Sequence, residues 1–155
     1  MSEEVEMPWK MKSTKSWVAK LRPDLEPKIV RSKRTGERML VPTPLLVAEE
    51  IRKVRKGRLT TPKRLRTGLA RRTGAESACP MTTGILLSIV AGAAEEQLAE
   101  GKRPVAPYWR VVEDDGSLRA KNPAGPSIQA RRLRAEGHRV RKQSGREQWK
   151  VEGFA

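Results

Sequence analysis

Apolar side chains recur at helical spacing in distinct blocks from residue 41 onward, whereas residues 1–40 mix Pro8, Pro23 and Pro27 with scattered Lys and Arg and show no sustained apolar period. That first stretch reads as a partly ordered basic arm, with Trp9 and Trp17 as candidate anchors on the rest of the chain. Thr43-Pro44 then reads as an N-cap followed by proline at the first helical position, with Val47, Ile51 and Val54 at helical spacing and Gly57 as the stop. Thr61-Pro62 repeats the signal, with Leu65 and Leu69 as the apolar stripe and Gly74 at the end. A longer helix is expected from about Thr82 to Glu100, with Ile85, Ile89 and Ala93 stacked on one face and Gly101 beyond its end. Val111-Val112 and Leu118 flank Asp115-Gly116, a dipeptide suited to a tight two-residue turn, so a small β-hairpin is expected next. Ser127 is placed as the cap of a fourth helix running through Leu133 to Gly137, and a last hairpin pairs the region of Val140 with Trp149 and Val151 around Ser144-Gly145.

Two helices joined by a short turn suggest a helix-turn-helix, and a hairpin behind the third helix suggests a wing. The expected class is therefore α+β: a mostly helical, winged helix-turn-helix domain with small β-hairpins. Its divisions are a basic arm over 1–40, a domain over 41–140 and a C-terminal hairpin or tail over 141–155.

Composition gives this outline a partner. The net charge of +15 exceeds what solubility requires, and neutralising phosphate is the usual physical use of such an excess. The charge is also segregated. Between Ile51 and Ala75 there are ten basic residues and no acid: Arg52, Lys53, Arg55, Lys56, Arg58, Lys63, Arg64, Arg66, Arg71 and Arg72. From Glu76 to Glu100 the balance reverses, with four acids and no base. A solvated helix surface is the bland explanation of a charge run, but this density without an intervening acid points to a phosphate-facing surface. Charge alone does not tell DNA from RNA.

The lone Cys79 excludes an internal disulfide framework, and the acidic opening Ser2-Glu3-Glu4-Val5-Glu6 is unlike a secretory signal, so a cytoplasmic, nucleoid-associated protein is expected. The longest apolar run, Gly84 to Ala94, falls short of the roughly 20 residues a membrane span needs. One cysteine and one histidine, His138, cannot build a structural zinc site; neither a metal nor a cofactor is expected.

The most telling motif is Pro107-Tyr108-Trp109-Arg110-Val111-Val112, followed by Asp115-Gly116-Ser117-Leu118 and, further on, by Leu133-Arg134-Ala135-Glu136-Gly137-His138. Over roughly Val41 to Val140 this order resembles the DNA-binding domain of the alkylguanine-DNA alkyltransferases. Members of that family carry Pro-Cys-His-Arg-Val at the first motif. The resemblance implies a winged-helix-like domain that enters the minor groove of duplex DNA through a recognition helix and flips the damaged guanine into a pocket. There a cysteine, activated by histidine and glutamate, takes the alkyl group. Tyr108 stands at the cysteine position, Trp109 at the histidine position, and Glu136 at the position of the glutamate. A thiol of pKa about 8.5 is a few per cent ionised at neutral pH, while a phenol near 10 is about a thousandth ionised, so Tyr108 without an adjacent base is a poor nucleophile. Alkyltransferase-like proteins, which bind alkylated guanine without repairing it and flag the lesion to a repair factor, are the nearest analogy. They usually keep the histidine, and this chain does not. The arginine that the family inserts into the base stack is absent near Thr82-Thr83, as is the family's helix-start tyrosine near Pro62.

By position, the resemblance implies a base pocket of Tyr108, Trp109, Arg110 and Glu136. It implies DNA contacts at Lys63, Arg64, Arg66, Thr82, Thr83, Gly84, Lys121 and Asn122. Tyr108 and Trp109 either stack on an extruded base or fill the vacated site as core. Cys79, ahead of Pro80 at the start of the long helix, is either a displaced nucleophile or a small residue in a turn, and with Glu136 it is the candidate for catalysis. The expected function is that of a monomeric DNA-binding protein, recognising modified or distorted DNA in repair without alkyl transfer. The alternatives are a repair enzyme with a relocated active site, alkyl-transferring or base-excising, and a module that binds nucleic acid through charge alone.

Overall fold

The computed structural model describes residues 16–143 and 148–154, so Trp9 and the Ser144-Gly145 turn lie outside the described residues. The fold is α+β. β1 (Lys28–Arg31) and β2 (Arg38–Val41) pair antiparallel with Lys28 opposite Val41 and Arg31 opposite Arg38, and β2 runs parallel to the short β3 (Ser77–Ala78). The helices are α1 (Pro44–Arg52), α2 (Pro62–Thr73), α3 (Pro80–Ala99) and α4 (Pro126–Ala135), and the chain closes with the antiparallel pair β4 (Val140–Lys142) and β5 (Trp149–Val151). No helix among the described residues is long and apolar enough to cross a membrane.

The hairpin β1–β2 was not expected inside residues 1–40, and β2 crosses the boundary placed at 40. Every residue of β1 is exposed, so the strand carries no alternating apolar signature; it is held by the ladder to β2, whose Leu40 alone reaches the core. Trp17 is an anchor, as its place in the arm implied. Its indole lies over α3 at Gly92, where any Cβ would run into the ring, and the backbone N–H groups of Trp17 and Val18 donate to the Glu96 carboxylate at 2.8 and 2.9 Å.

α1 and α2 begin where the Thr-Pro pairs placed them. The Thr43 hydroxyl accepts from the Leu46 N–H and that of Thr61 from the Arg64 N–H, each satisfying one orphan donor of the first turn. α2 ends on Gly74, whose φ of 76° is the left-handed conformation that glycine tolerates and other residues resist. α3 begins two residues earlier than expected, at Pro80, and its buried face is broader than the expected stripe: Ala93 is buried and Ile89 packs against the core, but Thr83, Leu86, Leu87, Val90, Ala91 and Ala94 pack inward as well, while Ile85 is 57% exposed. The helix is apolar nearly all round, so the spacing of its large residues did not identify the core side. α4 starts at Pro126 with Gly125 as its N-cap, so Ser127 is the second helical residue and not the cap.

Asp115-Gly116 does form a tight turn: the Gly116 N–H donates to the Glu113 carbonyl and the Glu113 N–H to that of Ser117, with Gly116 at φ 87°. The arms then part instead of forming a hairpin. Val111 bridges to Thr60 ahead of α2, and Ser117 bridges to Lys150 of β5. Backbone donors left by the short turn are thus satisfied by two other segments. Because extended residues alternate faces, Val111 enters the core made by α1, α2 and α3, while its neighbour Val112 enters a second core of Leu118, Leu133, Val140 and Val151. The Tyr108 motif lies where these halves meet.

Candidate nucleic-acid interface and the polar centre beside it

Residues 108–110 form a single 3-10 turn after Pro107. Tyr108 is 2% exposed, packed in a cluster with Ala91, Ala94 and Val105. Its hydroxyl donates to Glu95 Oε2 at 2.6 Å, and Arg132 on α4 grips the same carboxylate through Nε and Nη2 at 2.9 and 2.6 Å. Burial, reinforced by the Glu95 carboxylate, pushes the Tyr108 phenol far above its usual value. Burial would raise Glu95 as well, but the hydrogen bonds from Arg132 and Tyr108 outweigh it and hold that carboxyl below its ordinary value. Trp109 meets Tyr108 edge-on, with ring centroids 5.4 Å apart.

A second polar unit adjoins the first. Trp109 Nε1 donates to Glu136 Oε2 at 3.0 Å, and Arg110 forks onto the same carboxylate through Nε and Nη2 at 2.9 and 2.7 Å while its Nη1 donates to the Val54 carbonyl at 2.6 Å. Glu136 sits at the C-terminus of α4, where the helix dipole disfavours negative charge, so the guanidinium is what makes a carboxylate tolerable there. Its pKa is lowered: burial acts to raise it, and Arg110 with Trp109 prevails. Chemically, this arrangement holds protons in place. A phenol kept protonated is no nucleophile, and an indole N–H has no lone pair with which to act as a base.

The residues expected to touch nucleic acid divide. Lys63 and Arg64 are exposed on the first turn of α2 and Arg66 is half-buried beside them. Lys63 and Arg66, with Arg71, line a hollow of about 530 Å³ against the β1–β2 turn, where Arg34 adds a fourth cation and Glu37 and Glu76 oppose it. Of the ten cations between 51 and 75, Lys53 pairs with Glu50, and Arg72 with both Glu49 and Glu50; Arg52, Arg55, Lys56, Arg58 and Arg71 stay exposed. On α3 the half-buried Thr82 hydroxyl donates to Cys79 Sγ at 3.3 Å and Gly84 faces a groove, but Thr83 is fully buried with its hydroxyl unpartnered. Lys121 is exposed. Asn122 is buried and donates to Gln129 Oε1 at 2.9 Å, and Gln129 in turn donates to the carbonyls of Trp109 and Val111. Thr83 and Asn122 thus serve the interior and offer nothing to a surface ligand.

Cys79 is the N-cap residue of α3. Burial raises its thiol, but hydrogen bonding by Thr82 and by the backbone of Thr82 and Met81 outweighs this and leaves it lowered. Its partner in the structure is a hydroxyl and not a base. His138 lies half-buried near Arg134 and Arg139, and among the described residues no group of three His, Cys, Asp or Glu side chains is arranged to hold a metal.

Sequence reading missed Glu95, Gln129, Arg132 and Arg119. Each is one polar residue among many, and only a contact distant in sequence gives it meaning. The clearest available hint was Glu95-Glu96, an acidic pair following an apolar run of helix. In comparisons with known proteins the chain matches no family model, no curated protein and no solved structure.

Proposed function

We propose that this chain is a DNA-binding protein of the alkyltransferase-like type, which recognises modified or distorted duplex DNA without alkyl transfer. The observation that carries the reading is the 3.0 Å hydrogen bond from Trp109 to Glu136. The resemblance pairs these two positions as the histidine and glutamate of a thiol-activating network, and side chains 27 residues apart in sequence are partners in space. Tyr108, at the nucleophile position, is buried and bonded to Glu95, which favours core packing over a pocket for an extruded base. The winged helix-turn-helix reading draws support from the α2–α3 pair, although β3 occupies part of the connection.

The exposed cations of residues 52–71 supply the electrostatic footing. If they neutralise roughly four to six phosphates, the logarithm of affinity falls against the logarithm of salt with a slope of about −4 to −5. The test compares affinity for alkylguanine, mismatched and undamaged duplexes across salt, with intact-mass measurement of the protein alongside. Tighter binding to the altered duplexes and no mass gain are expected. A flat salt response overturns the phosphate reading, and a stoichiometric mass gain overturns the non-catalytic one.

A further inference from the structure

A second concentration of positive charge lies outside residues 52–71. From 131 to 142 six residues are basic, Arg131, Arg132, Arg134, Arg139, Arg141 and Lys142, against one acid, Glu136. That acid is turned inward and held by Arg110 and Trp109, so it does not screen the surface around it. Within the basic set Arg132 is spent on Glu95, and Arg141 pairs at 2.9 Å with Glu152. Arg134 and Arg139 are exposed and make no ion pair among the described residues. Neutral groups hold Arg134 instead: its Nη2 donates to the Val140 carbonyl, and its guanidinium lies over the Trp149 ring at 5.5 Å. Contacts of that kind order a guanidinium without neutralising it. These side chains edge a hollow of about 510 Å³ between the end of α4 and the β4–β5 pair, with Glu152 as the acid that faces it. His138 lines the same hollow, and its buried Nε2 has no hydrogen-bond partner among the described residues. Cations crowded in this way repel one another in the folded chain, a cost that a bound polyanion offsets.

We infer that this surface takes the phosphate backbone of a second DNA segment, so that one copy of the chain holds two duplexes at once, one on α2 and one on α4 and β4. The inference rests on the DNA-binding reading and goes beyond it. Two observations keep the surfaces apart. Lys63 and Arg66 stand on α2, which packs into the core of Leu65, Leu69 and Val111, whereas Arg134 and Arg139 flank the separate core of Leu133, Val140 and Val151. Between them lies an acidic turn. Glu113, Asp114 and Asp115 adjoin Lys63 and Arg66 on one side; on the other, Ser117 bridges to Lys150 of β5, with β4 beyond it. Asp114 and Asp115 are exposed, so one strand passing from α2 to β4 would carry its phosphates across two carboxylates. The exposed guanidiniums suit phosphate oxygens, which they meet with directed, charge-assisted hydrogen bonds. A lipid surface is disfavoured, because the hollow offers no exposed apolar side chain: Val140 is buried, and Trp149 is half-buried with Arg134 and Lys142 over its ring.

The test loads the full chain onto a short duplex held on beads, washes away unbound protein, and measures capture of a second, fluorescein-labelled duplex. Affinity for one duplex in solution and the melting temperature are recorded in parallel. The parent is expected to capture the second duplex. Arg134→Gln/Arg139→Gln is expected to keep its affinity for one duplex within about twofold and to capture about tenfold less of the second, a split that misfolding cannot produce. Arg139→Gln alone, at an exposed position without an ion pair, should show the same split at smaller size even if loss of the Arg134 contacts lowers the melting temperature of the double variant. Lys63→Gln/Arg66→Gln should weaken both readings. If the parent binds one duplex but captures no second, the inference falls and the DNA-binding reading stands. If the Arg134→Gln/Arg139→Gln protein captures as the parent does, the bridge comes from association of two copies, and the inference falls. Equal loss of affinity and capture in that protein would mean that one duplex tracks both surfaces, which also overturns it. If the parent binds no duplex at low salt, both readings fall. Capture of phosphatidylserine vesicles in preference to the second duplex would overturn the DNA assignment in favour of a lipid surface.

Discussion

Arg110 and Arg119 lie on one stretch of chain and are almost equally buried, with 13% and 10% of their side chains exposed. The first spends all three guanidinium nitrogens on Glu136 and the Val54 carbonyl; the guanidinium of the second makes no hydrogen bond among the described residues and has only Glu113 at 3.7 Å. The contrast separates two uses of a buried charge. At Arg110 the acceptors come from inside, tying three separated segments together, so the charge is structural. At Arg119 the described residues supply only the Glu113 carboxylate, 3.7 Å from Nη1, so the charge is held without a close acceptor.

The sharpest way to break the contrast is to remove the internal acceptor. Glu136→Ala leaves Arg110 buried beside a single carbonyl and is expected to cost about 3 to 5 kcal/mol in urea unfolding. A loss below about 1 kcal/mol would mean that Arg110 does without a close carboxylate as Arg119 does, and the contrast would fall. Acid approaches the same defect reversibly. Glu136 and Glu95 both have folded-state pKa values below their ordinary 4.5, so their stabilisation is present above that pH and lost as pH falls through the lowered folded values. Glu136→Gln should flatten the acid limb of a stability profile, whereas Arg119→Gln should leave it unchanged. A smaller effect belongs to Tyr108→Phe, which removes one hydrogen bond to a carboxylate that keeps Arg132; about 1.5 kcal/mol is expected, read by the same titration. The smallest change has the opposite sign. Arg119→Leu exchanges a poorly partnered charge for an apolar side chain and should gain about 1 kcal/mol in the free protein, seen as a raised melting temperature.

Local signals carried most of the helical frame. Thr43-Pro44 and Thr61-Pro62 located two helix starts, because a hydroxyl acceptor followed by a residue without an N–H suits only that place. Gly74 located an end, and Val140 with Val151 marked the last strand pair. Three misreadings have a shared cause: the deciding partner is far along the chain. β1 has no buried face to announce it, so Ile29 and Val30 before the turn at Gly36 were its sole trace. The arms of the Asp115-Gly116 turn go to Thr60 and Lys150 rather than to each other. On α3, a helix apolar on nearly every side leaves the choice of buried face to α1 and α2. At the candidate site, the motif drew attention to Tyr108, Trp109 and Glu136, but nothing local said that Tyr108 would be sealed by Glu95 and Arg132, or that Asn122 would turn inward to Gln129.

The bond from Tyr108 to Glu95 also constrains how this sequence can change. A cysteine at 108 would be too short to reach Glu95, would leave a void among Ala91, Ala94 and Val105, and would stand beside an indole unable to accept its proton. Each single step towards a reactive thiol therefore meets a packing loss before any gain in reactivity. Substitutions at 95, 108, 109 and 132 are coupled: the neighbourhood accepts change as a set, and drift one residue at a time is held near its present state.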